Sequence, residues 1–138
     1  MEIHKITDDL QVAGQIGPSD IPELASKGIK TIICNRPDSE APGQPSFSEI
    51  ERLAEAEGIK AIYHPIRAPN AISDADAEIF EKEMADAEKP VLAFCRTGTR
   101  SAFLWSLSQA GKLPAQEIAL KAMRAGYDIS PVLQRLEK

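Results

Sequence analysis

The sequence predicts an α/β fold with a mostly parallel central sheet, and three observations carry that prediction. Three short apolar runs, "IKTIIC", "KAIYHPI" and "KPVLAF", are rich in β-branched residues and have the length of buried strands. Segments with helical spacing and capping signals separate them. Alternation of strands with helices implies parallel crossovers, whose strands are buried on both faces. With 138 residues, 43% of them hydrophobic, the chain can bury one good core, so a single domain over 1–138 is expected.

The elements follow in order. "EIHKITDDLQVAGQI" reads as two short strands around a turn at Thr7–Asp9. Ser19 is the expected N-cap of a short helix ending at Gly28, before the strand "IKTIIC". "NRPDSEAPGQPS" is the longest turn-rich stretch. Ser46 and Glu49 have capping-box spacing, and Ile50, Leu53 and Ala54 mark one face of a helix closed by Gly58. "KAIYHPI" is the next strand and "RAPNAI" a loop. Ser73 caps a helix expected to bury Ile79, Phe80 and Met84, and "KPVLAF" is the last strand. "RSAFLWSLSQAG" is a strongly apolar helix in which Phe103, Leu104 and Trp105 read as packing. Helices from Pro114 to Gly126 and from Pro131 onward complete the chain.

Composition excludes several functions. The net charge is −5 and no run of Lys or Arg is long enough to track a phosphate backbone, so no nucleic-acid partner is expected. The N-terminus lacks a signal-peptide core and no apolar run reaches the ~20 residues of a membrane span, so no membrane partner and a cytoplasmic location are expected. Cys34 and Cys95 make no disulfide scaffold, and His4 and His64 show no ligand spacing with them, so neither a metal site nor a cofactor is expected.

The chemistry concentrates in "AFCRTGTRSAFLW". A cysteine leaving a buried strand into a tight glycine loop, followed at once by a helix, faces backbone N–H groups and the positive end of the helix dipole. That field cradles an anion and favours a thiolate nucleophile. Gly98 supplies a left-handed curl, Arg100 a fork that can grip two oxygens, and Ser101 a hydroxyl for the thiolate or a leaving group. Arg96, Thr97 and Thr99 add polar groups that an apolar setting would penalise unless something used them. An isolated cysteine of this kind is more often a small buried side chain; the polar flanks argue otherwise here.

Two chemistries use such a loop. Protein tyrosine and dual-specificity phosphatases carry C-x5-R, usually with a His before the Cys, whereas Cys95 to Arg100 is C-x4-R and Phe94 precedes the Cys. Rhodanese-type sulfurtransferases carry a six-residue loop beginning with Cys, and a smaller ring suits a single transferred sulfur atom. Ester hydrolysis is also helped by a carboxylic acid that protonates the leaving oxygen, and "RAPNAI" contains none. The nearest acids, Asp74 and Asp76, follow the Ser73 cap and are explained by the helix dipole.

"TIICNRPDSEAPGQPS" together with "FCRTGTRSAFLW" resembles the phosphatase-like domain of β-lactamase-hydrolase-like (Blh) proteins, often described as a sulfur transferase. The likeness runs from "ITDDLQVAGQI" through the helix holding Trp105. It implies a tyrosine-phosphatase-like (dual-specificity-phosphatase-like) three-layer fold carrying a rhodanese-like loop. In relatives the domain is often fused to a persulfide dioxygenase in systems that detoxify sulfide. This chain ends at Lys138 without that part, which implies either a separate persulfide dioxygenase as partner or an excised domain.

The expected activity is therefore sulfur transfer: Cys95 takes a sulfane sulfur from a small anionic donor, thiosulfate or a persulfide, and passes it to a thiol or other nucleophile. Arg100 and the amides of residues 96 to 101 would stabilise the departing anion. Asn35 and Arg36 start at a strand end, on the rim expected to carry Cys95, and either line the pocket or merely build a turn. Arg96 and Arg36 would steer donor or acceptor. Cys34 is either a core residue or a resolving thiol, and His64 either structural or a proton shuttle. The rival readings are a cysteine-dependent phosphatase and a non-catalytic anion-binding or redox-sensing module.

Overall fold

The computed structural model describes residues 1–137. Five strands, β1 (Ile3–Lys5), β2 (Leu10–Ala13), β3 (Thr31–Cys34), β4 (Lys60–Tyr63) and β5 (Val91–Phe94), form one sheet in the order β1-β2-β5-β3-β4. β1 pairs antiparallel with β2; the other pairings are parallel. Thr7 makes the first turn, its Oγ1 accepting from the backbone N–H groups of Asp9 and Leu10.

Side-chain alternation sorts the strands between two cores. Leu10, Val12, Ile33, Val91 and Ala93 face one side; Ala13, Ile32, Cys34, Leu92 and Phe94 face the other. Helices α1 (Ile21–Ser26) and α2 (Phe47–Ala56) cover the second face through Ile21, Leu24, Ile50 and Ala54. Helices α3 (Asp74–Asp86), α4 (Thr99–Ser108) and α5 (Ala115–Arg124), with a 3-10 segment at Ser130–Leu136, cover the first. The result is the expected three layers with a mostly parallel sheet between. Each fully buried Leu, Ile or Phe contributes about 1.5–3 kcal/mol.

Four local expectations are corrected. Ser19 lies inside a 3-10 turn at Pro18–Asp20, and α1 begins after Asp20, whose Oδ2 accepts from the Gly17 N–H at 2.8 Å. Ile79 is 50% exposed, because the buried stripe of α3 runs through Ala77 and Phe80 toward Met84 and position 79 falls off that spacing. Pro114 sits at the N-cap of α5, one residue before the helix proper, where its missing N–H costs nothing. The last segment is 3-10 rather than α.

α4 is buried all round: its nine residues from Arg100 to Ser108 are covered by the sheet, α3, α5 and the C-terminal 3-10 segment. The hydroxyls of its C-terminal half are satisfied within the helix, Ser106 Oγ donating to Ala102 O and Ser108 Oγ to Trp105 O. A helix so enclosed cannot slide, so the loop at its N-terminus is held at both ends. Among the described residues, no helix is long and apolar enough to cross a membrane.

Candidate active site

Because β2, β5, β3 and β4 run in parallel, their carboxyl ends share one rim, and Cys95 leaves the central strand β5 there. Pairing continues past the strand ends: Cys95 N–H donates to Ala13 O, Gln15 N–H to Arg96 O and Asn35 N–H to Phe94 O. Gly14 allows this approach, since a Cβ there would lie 2.9 Å from Arg96 O. Gly98, at φ 89°, turns the chain through the left-handed region into α4. The backbone N–H of Gly98 donates to Cys95 Sγ at 3.1 Å, so the anion cradle expected from the sequence has one amide on the sulfur. Cys95 itself is 0% exposed.

Arg100 is buried against the loop, and its fork meets Glu40. Nη1 donates to Glu40 Oε2 at 2.7 Å and Nη2 to Oε1 at 3.0 Å, while Nη1 also donates to Ile66 O at 2.8 Å. Arg36 reaches the same carboxylate through Nε at 2.9 Å and donates from Nη1 to Gln15 Oε1 at 3.0 Å. The Arg100 guanidinium, helped by Arg36, holds Glu40 below the usual carboxylate range despite some burial. The Arg100 pKa is raised in turn, chiefly by Glu40 and also by Cys95. Glu40 sits inside the turn-rich "NRPDSEAPGQPS", where the sequence offers no sign that one of its acids folds back onto the loop.

Asn35 is fully buried and has both ends of its amide engaged. Its Oδ1 accepts from Ser101 Oγ at 2.8 Å, and its Nδ2 donates to His64 O at 2.9 Å. Asn35 thus ties the ends of β3 and β4 to the start of α4 rather than lining the pocket, and the Ser101 proton goes to Asn35 rather than to sulfur. Arg36 is only 5% exposed and ion-paired, which removes it as a free steering cation. Arg96 and Thr97 are exposed on the outer side of the loop, with Thr97 and Thr99 hydroxyls 3.0 Å apart.

His64 lies between two carboxylates, Nδ1 at 2.8 Å from Glu83 and Nε2 at 3.1 Å from Asp76. Burial alone would lower its pKa, but the two acids outweigh burial and the net shift is upward. Asp76, which also caps Ser73, is therefore tied to His64 and not to the loop. Cys34 packs with α1 and α2, its thiol donating to Arg36 O, and burial pushes its pKa up to about 12. That makes it a core residue without nucleophilic character at neutral pH. Tyr127, unmarked in the sequence, lies against the loop: a Cβ at Gly98 would overlap its hydroxyl. Burial first, then the charge of Cys95, pushes the Tyr127 pKa up to about 12, so it stays a protonated phenol.

A cysteine in a glycine loop between the central parallel strand and a buried helix, with an arginine at the loop's end, defines a cysteine-phosphatase-like protein. The family model for the phosphatase-like domain of beta-lactamase hydrolase-like protein matches residues 2–112, and the chain belongs to that family. It is 36% identical to a beta-lactamase hydrolase-like protein of Agrobacterium fabrum over its full length, while spanning only 32% of that relative. A Neisseria meningitidis protein named as a candidate phosphatase has 39% identity and a TM-score of 0.88, covering 99% of this chain and 96% of its own. The core catalytic domain of a PP-IP phosphatase from S. cerevisiae shares the fold at 16% identity and a TM-score of 0.71, covering 97% and 82% of the two chains. These likenesses are to phosphatase-like proteins, and none of them carries a sulfur-transfer label.

Proposed function

We propose that the chain is a cysteine-dependent group-transfer enzyme in which Cys95 attacks a small anion, and that the group transferred is sulfane sulfur. The observation that carries the choice is the six-residue loop from Cys95 to Arg100 together with its carboxylate, Glu40. An ester hydrolase gains from a protonated carboxyl beside the leaving oxygen, and Glu40 is held ionised by Arg100 and Arg36. Sulfur transfer needs no such acid. The Cys95 thiolate attacks the outer sulfur of thiosulfate, the S–S bond breaks, and sulfite departs with the electron pair. A thiolate acceptor then attacks the outer sulfur of the Cys95 persulfide and restores the thiolate. Gly98 N–H and the Arg100 guanidinium stabilise the charge that moves between the two sulfurs. The acceptor, and a persulfide dioxygenase as partner, belong to this same proposal.

The second reading is a cysteine-dependent phosphatase, and the family description and the named neighbours favour it over the first. One experiment separates them. The protein is mixed with thiosulfate and its intact mass recorded, with p-nitrophenyl phosphate hydrolysis and Cys95→Ser run beside it. One added sulfur atom, removed by cyanide or a thiol and absent from Cys95→Ser, supports sulfur transfer. Phosphate release that depends on Cys95, without added sulfur, selects the phosphatase and ends the sulfur reading.

A further inference from the structure

The Cys95 site is closed and its strongest cation already holds an anion. Both Nη1 hydrogens of Arg100 are engaged, one by Glu40 and one by Ile66 O, and Nη2 holds the other Glu40 oxygen. The carboxylate of Glu40 therefore lies on Arg100 as a two-oxygen ligand does, with Arg36 Nε on one of the same oxygens. Its side chain is 25% exposed, whereas those of Arg36 and Arg100 are 6% and 9% exposed, so the acid is the outer, displaceable member of the cluster.

The segment that carries Glu40 is built to be external. Asp38 is anchored, its Oδ1 accepting from Phe47 N–H and its N–H donating to Tyr63 Oη. Ser39 then takes a left-handed φ of 65°, and the Glu40 N–H is tethered only to the Gln44 side chain. Movement of residues 39 and 40 would leave the sheet, α2 and the Asp38 anchor intact.

We propose that Glu40 is a resident counter-anion that sets the substrate's charge class: it occupies the seat on Arg100 and Arg36 that a substrate oxyanion takes, and only an anion able to displace it reaches Cys95. The substrate then presents at least two anionic oxygens to the arginines, carried on the reacting phosphorus in a phosphate ester and on the sulfur next to the reacting one in thiosulfate. The inference rests on the Cys95 loop being the anion site, not on which group is transferred. A side chain that merely positions Arg100 predicts the opposite sign, because its loss would disorder the fork and weaken binding.

The test is calorimetric titration of inorganic phosphate into the full chain and into Glu40→Gln, which keeps the shape and removes the charge. Glu40→Gln is expected to bind phosphate at least about tenfold more tightly, roughly the effect of deleting one partly screened charge beside the site. The gain should shrink with added salt. Equal or weaker binding in a folded Glu40→Gln protein overturns the proposal. If that variant does not fold, Gln44→Ala unties the same segment without touching either arginine; tighter binding there supports the proposal and unchanged binding overturns it. The titration needs no turnover, so loss of the sulfur-transfer reading in the mass experiment leaves this result standing.

Discussion

Ser101 and Asn35, 66 positions apart in sequence, meet through a 2.8 Å hydrogen bond from Ser101 Oγ to Asn35 Oδ1 beneath the Cys95 loop. Both are fully buried, and Asn35 extends the link to His64 O at the end of β4. The pair joins the start of α4 to the ends of β3 and β4, so the loop is braced from below as well as at its two ends.

Removing one member leaves the other's polar atom buried and unpaired. Asn35→Ala should cost about 2–3 kcal/mol and Ser101→Ala about 1 kcal/mol in urea unfolding. A double-mutant cycle should return a coupling of roughly 1 kcal/mol, and additive losses would show that the bond does not brace the loop.

On the proposed reaction, Cys95→Ser should remove turnover while leaving the melting temperature within about 2 °C, because serine fits the space. Arg100→Lys should lower turnover by about a hundredfold or more, since an ammonium has no fork to span two oxygens. Single-turnover kinetics with thiosulfate checks both. Wild-type rates in either variant would move the chemistry elsewhere.

The His64 cluster predicts a particular pH dependence. Its folded pKa is raised above the unfolded 6.5, so its contribution is fully present below about 6.5 and is lost as pH rises through the folded value. Asp76, with its pKa lowered, contributes above the unfolded 3.8 and loses that contribution as pH falls through the folded value. Stability should therefore fall as the pH rises from the unfolded value through the raised folded one, and His64→Gln should flatten that fall. Thermal unfolding from about pH 6 to pH 9 measures it; equal slopes would detach His64 from the effect.

Gly98→Ala is expected to destabilise by about 2 kcal/mol or more, combining left-handed backbone strain at φ 89° with overlap onto Tyr127. Tyr127→Phe in that background should recover part of the loss by removing the hydroxyl. Chemical denaturation of the wild type and the two variants reads this directly, and a fully tolerated alanine would contradict the packing.

Local signals were legible wherever the physics is local. The β-branched runs became β3, β4 and β5, and Ser46 and Ser73 cap their helices through backbone N–H bonds from Glu49 and Asp76. Ile79 was misplaced because an apolar residue beside a stripe looks like a member of it until the helix meets its neighbours. Asn35 and Arg36 follow β3 on the rim that carries Cys95, but Ser101 and Gln15, which bond to them, lie 66 and 21 positions away, and Glu40, four residues from Arg36, sits in a turn-rich stretch with no periodicity to mark the pairing.

The sequence by itself determined the strand and helix pattern, the parallel crossovers and the cysteine loop, because periodicity, capping and a glycine turn act over a few residues. Only the tertiary structure decided that Glu40 lies on Arg100, that Asp76 serves His64, and that Tyr127 packs on Gly98. Those contacts depend on which strand ends share a rim and on how burial makes each charge find a partner. The turn-rich stretch after β3 holds two acids, Asp38 and Glu40, and chain geometry, not residue type, put Glu40 on Arg100 and Asp38 on Phe47 N–H.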